Sequence, residues 1–201
     1  MRILLLTIVC FLSSFTHADS PITSTDIAQS YKDEAIVSKA LESDGNLTDE
    51  YCNFIFNKDN ELGARIAVIN ALSWDSNGKN NFSFALEYLV RMKKVKESNY
   101  LKKLKGDDLI CLAYIKVMDD YFKVDEALKI AEIAKNKLKN SYTGHIIHAL
   151  IKAQSDFDKD WCDCWKVCND VRINKALVQD MKASAQTSIF EYMDLYKEYC
   201  K

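Results

Sequence analysis

DDLICLAYIKVMDDYFKVDEALKIAEIAKNKLKN, residues 107–140, carries the reading of the fold class. Apolar residues recur at intervals of three and four. Leu109, Leu112, Ala113, Tyr114 and Ile115 form the inward set of the first half; Ala127, Ala131 and Ala134, with Leu128, Ile130 and Leu138 nearby, form that of the second. Asp107-Asp108 and Asp125 put acids at the positive end of each helix dipole. Lys135, Lys137 and Lys139 put cations at the negative end of the second. The spacing predicts two helices, one with an alanine stripe.

The same period continues on both sides. Ser24 or Thr25 is expected to cap a helix with Ile27, Tyr31, Ala35, Ser38 and Leu41 on one face. Thr48 opens a short helix through Phe56, and Asn60 is expected to cap one carrying Leu62, Ile66, Ile69 and Leu72. Asn80 or Asn81 starts another with Phe82, Leu86, Leu89 and Met92 or Val90 inward. Ser141 caps a helix through Ala153, Asp158 or Lys159 begins one through Val171, and Asn174 begins a final helix of about 25 residues. Gly45, Gly78 and Gly106 each follow a helical segment and are expected to close it. No stretch alternates long enough to favour a strand. The expected fold is all-α: nine or ten short helices packed as antiparallel hairpins in an irregular, helical-repeat-like bundle.

Residues 107–140 resemble one tetratricopeptide unit. In that family Leu109, Leu112 and Ala113 are inward positions of the first helix, and Ala127 and Ala134 are the small residues that let the second approach closely. The resemblance covers about one repeat. The connection near Phe122 is longer by one or two residues, and the closing proline is missing.

Composition narrows the class further. The 201 residues are 48% hydrophobic and 28% charged, with 5 Gly and 1 Pro, which excludes disorder, collagen-like sequence and a many-stranded sandwich. Lys+Arg 27 against Asp+Glu 29 leaves net −2, so no global field recruits nucleic acid or an anionic membrane. Met1-Arg2, the apolar run Ile3–Leu12 and the polar stretch to Ala18 read as a secretory leader cleaved after Ala18, with 19–201 as a single helical domain. No later stretch reads as membrane-spanning. The short leader and the Asn, Lys and Ile usage point to a bacterial periplasm or its exterior.

Export changes the meaning of the cysteines. Without Cys10, six remain: Cys52, Cys111, Cys162, Cys164, Cys168 and Cys200. An even number in an oxidising compartment favours disulfides. Cys52 is expected to meet Cys111, and one or two of the 162–168 group to meet Cys200, so that bridges clamp the fold. The competing reading is a soft metal site built from Cys162, Cys164 and Cys168 with His145 and His148, although paired CxxC spacing is missing. Asp156, Asp158 and Asp160 alternate as a calcium loop begins, but Trp161 and Val167 stand where it needs glycine and glutamate. No nucleophile elbow, phosphate-binding glycine loop, HExxH or dinucleotide fingerprint occurs, so catalytic, metal and cofactor-binding assignments are all none. Asn46 and Asn81 stand in glycosylation acceptor triplets.

The expectation is therefore a non-enzymatic exported protein that binds another protein. In type it is similar to immunity proteins that neutralise a toxin delivered between bacteria; an adaptor of an envelope complex is the alternative. Trp74, Trp161 and Trp165 are the candidate anchors, and Lys93, Lys94 and Lys96, within the basic stretch Arg91–Lys105, the candidate charged rim. The partner class includes a second copy of the chain and excludes nucleic acid.

Overall fold

The computed structural model describes residues 19–75 and 77–200; the expected leader, Cys10 included, lies outside the described residues. Among those residues the protein is all-α and carries one disulfide, Cys162–Cys200. Its helices are α1 (Ala35–Leu41), α2 (Asp49–Ile55), α3 (Leu62–Ala71), α4 (Asn81–Lys93), α5 (Tyr100–Lys103), α6 (Gly106–Asp119), α7 (Asp125–Lys137), α8 (Tyr142–Asp156), α9 (Trp161–Ile173) and α10 (Ala183–Met193). Short 3-10 helices occupy Ala28–Tyr31, Glu97–Asn99 and Asp194–Tyr199.

The stretch 107–140 folds as the α6–α7 hairpin, the most closely packed pair in the molecule. Leu109, Leu112, Ala113 and Tyr114 of α6 and Ala127, Ala131 and Ala134 of α7 are completely buried. The small alanines bring the two axes close. The chain then folds back twice more, α7 on α8 and α8 on α9, while α3 and α4 cover the remaining sides of α6. α6 is thus the central helix, and its side chains are almost all buried. The buried apolar residues run from Ile22 to Tyr196 as one cluster.

Gly45 and Gly78 adopt the left-handed conformations expected of them, at φ +77 and +79. Gly106 does not close a helix; it begins α6. Its requirement is closeness, because a Cβ there would lie 2.7 Å from Leu138 Cγ and 3.1 Å from the Ala134 carbonyl. Any side chain would push the start of α6 away from the end of α7.

Three further expectations need correction. The first helix is broken at residues 32–34, so Val37 and Ala40 face inward, while Ala35 and Leu41 are exposed. Tyr31 is fixed before the break, its hydroxyl accepting from Lys182 N at 2.8 Å. Asn60 does not cap α3; its Nδ2 donates to the Phe54 carbonyl at the end of α2 (2.9 Å). The expected last helix is interrupted across residues 174–182, where Val178 pairs with the strand-like entry to α8: Val178 N donates to Asn140 O (2.7 Å) and Tyr142 N to Val178 O (3.0 Å). Leu177 and Met181 are buried from this extended segment, and a helix continuing from α9 would lose both contacts.

Candidate protein-binding interface

α9 begins where Asp160 accepts from Asp163 N through its side chain (3.0 Å), an N-cap that the sequence WCDCWKVC leaves room for at its front. Trp161, Cys164, Trp165 and Cys168 recur at three and four and share one face of the helix. Cys164 and Cys168 are buried against α8, with Cys164 Sγ 3.2 Å from the Ala153 carbonyl. Trp161, the first residue of α9, is 43% exposed.

The chain end packs against the same side of α9. Cys162 and Cys200 bridge the two segments with their Cα atoms 4.8 Å apart. Arg172 grips Asp194 with both terminal nitrogens (2.8 and 2.9 Å), and Trp165 Nε1 donates to the same carboxylate at 2.9 Å. The Arg172 hydrogen bond holds the Asp194 carboxyl below the ordinary carboxylate range. Arg172 also lies over the Phe190 ring, 4.1 Å from its centroid.

This fixes a row of rings. Phe157 meets Tyr196 edge to face (5.6 Å), Tyr192 packs on Tyr196 (5.4 Å), and Trp161 meets Tyr199 edge to face at 4.5 Å and 75°. Tyr199 is about half exposed and Leu195 is 59% exposed. A cleft of about 380 Å³ opens between Asp158, Lys159, Asp160, Trp161, Cys162 and Tyr199. The result is an exposed aromatic and apolar surface with a charged edge, held by a covalent bridge and an ion pair.

The other expected anchors do different work. Trp165 is partly buried and bonded to Asp194. Trp74 packs on the core, edge-on to Tyr121 at 5.3 Å. Lys93 lies 3.7 Å from the buried carboxylate of Asp108. Lys94 closes α4 in the left-handed conformation, and Lys96 is exposed in front of the Glu97–Asn99 turn. α4 packs on α2 and α6, whereas α9 packs on α8, α10 and the terminal 3-10 segment, so the lysines and Trp161 belong to different parts of the bundle. Tyr199, Leu195 and Asp194 did not figure among the expected residues. Their signal was present: Tyr192, Tyr196 and Tyr199 recur at four and three in the tail.

The expected bridges are corrected to one. Cys52, Cys111, Cys164 and Cys168 are buried free thiols. Cys52 sits on α2, while Cys111 sits on α6 and faces the Arg65 guanidinium. Burial pushes the Cys52, Cys111 and Cys164 thiols up to about 12 and Cys168 upward as well, so none is a thiolate at neutral pH.

His145 and His148 share α8. Burial lowers His148 to about 4, and His145 is lowered for the same reason. Among the described residues no three His, Cys, Asp or Glu side chains are gathered as a metal ion needs. Asp156 pairs with Lys152, and no described helix is long and apolar enough to cross a membrane. Asn81 is buried with both ends of its amide engaged, to Leu47 N and Gly45 O at 2.9 Å each, whereas Asn46 is exposed.

The fold and this surface define an all-α protein with a disulfide-fixed aromatic face. No family model, curated protein or solved structure matches the chain.

Proposed function

We propose that this is an exported, non-enzymatic helical protein that binds a protein partner through the face formed by α9 and the chain end. In its most concrete form it is an immunity protein that neutralises a toxin delivered between bacteria. The observation that carries the reading is Trp161, a large aromatic left 43% exposed on a frame otherwise rigidly locked by Cys162–Cys200 and Arg172–Asp194. Rigid aromatic anchors lose little conformational entropy on binding and dominate interface energies. Leu195 and Tyr199 extend the contact, and the charges around Asp158 and Asp160 supply a rim.

The test is genetic and then quantitative. The product of a toxin-like neighbouring gene, directed to the periplasm, should kill cells lacking this chain and spare cells that express it. Trp161→Ser with Tyr199→Ser should abolish protection and weaken binding to that product at least about thirtyfold, the weight of a hot-spot anchor. Full protection by the double variant removes the face from the reading. Cells unharmed without the chain remove the immunity function.

A further inference from the structure

The chemistry of the partner group can be read from the cleft beside Trp161. The indole and the Tyr199 ring pack edge to face, at 75° with centroids 4.5 Å apart, and the pair presents one aromatic surface to the cleft beside it. The disulfide holds both rings in place, since Cys162 follows Trp161 and Cys200 follows Tyr199. The remaining walls are Asp158, Lys159 and Asp160.

Those three charges are not equivalent. Lys159 folds back, its Nζ donating to the Ser155 carbonyl at 2.8 Å at the end of α8. One oxygen of Asp160 is occupied by Asp163 N. The Asp158 carboxylate is exposed and has no hydrogen-bond or ion-pair partner among the described residues. A cleft lined by a packed aromatic pair and an unengaged carboxylate is complementary to one class of group, a flat organic cation.

We infer that the Trp161–Tyr199 corner, with Asp158, is a receptor for an arginine side chain of the protein partner. A guanidinium stacks on an indole face while its fork meets a carboxylate, which a compact ammonium does less well. The cleft is open to solvent, so it suits a head group delivered on a stem from a facing surface. Leu195, exposed on the same terminal 3-10 segment as Tyr199, adds an aliphatic side chain to that segment's surface. The inference rests on the protein-binding reading and names the chemistry that reading leaves open.

The test uses the folded chain and a defined probe. The Trp161 indole N–H resonance, assigned by its loss in Trp161→Phe, is followed during titration with N-acetylarginine methylamide and with the neutral citrulline analogue. The expected result is a saturable shift with arginine at millimolar concentration, at least about fivefold weaker with citrulline. Asp158→Asn should weaken it by a similar factor and salt should diminish it, while the Trp165 resonance stays in place. Asp158 is exposed and bonds to nothing, so an unchanged thermal midpoint in Asp158→Asn verifies folding. Equal shifts with both probes, or arginine binding untouched in Asp158→Asn, overturns the inference. If the titration fails while the Trp161 and Tyr199 double variant still loses protection, the arginine assignment falls and the binding face stands.

Discussion

At the scale of single residues, two buried polar side chains decide how the core responds to substitution and to pH. Arg65 on α3 is 2% exposed; its Nε donates to the Ile55 carbonyl, and its terminal nitrogens lie 2.8 Å from Asp107 Oδ2 and 3.8 Å from Asp108 Oδ1. Burial raises the Asp108 carboxyl from its ordinary value, with Asp107 adding repulsion, so Asp108 depends on Arg65 and Lys93 for its charge. Arg65→Leu should cost about 3–5 kcal/mol in urea unfolding, since it removes the cation hydrogen-bonded to Asp107 and leaves the Asp107-Asp108 pair with Lys93 alone. Adding Asp108→Asn should restore part of that loss. The pair Asp107-Asp108 is visible in sequence as a helix start, but its counter-ion stands 42 positions away and no local pattern announces it. His148 gives the pH response. Its folded value, about 4, lies below the 6.5 of an exposed imidazole, so the unfolded chain binds its proton more readily. The contribution is complete above about pH 6.5, declines as pH falls from there toward 4, and has gone below that, about 3 kcal/mol in all. His148→Gln should flatten the stability curve between pH 6.5 and 4 relative to the parent, as read by denaturant midpoints.

At the scale of elements, helix entry is shared between local and distant caps. Thr48 and Ser141 cap α2 and α8 from the adjoining position, accepting from Tyr51 N (3.4 Å) and Gly144 N (2.9 Å), as their residue types foretell. α4 is different, because Asn80 at its N-cap position makes no side-chain cap bond and Asn81 spends its amide on residues 45 and 47. The free N–H of Phe82 is taken instead by Asp119 Oδ2 at 2.7 Å, from the end of α6. Asp119→Ala should therefore destabilise by about 1–2 kcal/mol and Asp119→Asn by less, with the loss appearing as fraying of α4 in amide exchange. This division explains how well the elements follow from the amino acids. The α6–α7 hairpin and the caps at Thr48 and Ser141 depend on neighbours within one turn and match their expected spans. The segment 174–182 and the break at 32–34 depend on partners far along the chain, the 140–142 backbone and Lys182, and local period gives no sign of them. The same holds for the surface face: three tryptophans look alike in sequence, and only the placement of Asp194 distinguishes Trp165, held inward, from Trp161, left outside.

At the scale of the whole molecule, the sulfur inventory joins the fold to the compartment proposed for it. One bridge closes the loop between positions 162 and 200, a separation of 38, and a loop of that length confines the unfolded chain by about 4 kcal/mol in the chain-entropy treatment. Replacing both cysteines by alanine should lower stability by that order and loosen the Trp161–Tyr199 corner. The four other thiols sit where oxidation is suppressed by position. Each is buried, the free thiol form is favoured by desolvation, and attack on an oxidant requires a thiolate. In the folded state, an oxidising compartment of the kind proposed would leave them reduced. The expected titration with a thiol-reactive dye is specific. Processed protein, purified without reductant, should show no reactive thiol when folded, four when unfolded in denaturant, and six after reduction. Retention of the leader adds Cys10, giving five and seven for the last two values, so one experiment reads processing and pairing together. Six thiols in unfolded, unreduced processed material would show the 162–200 bridge unformed. None would show that all six had paired, and the reasoning from burial to inertness would fail with it.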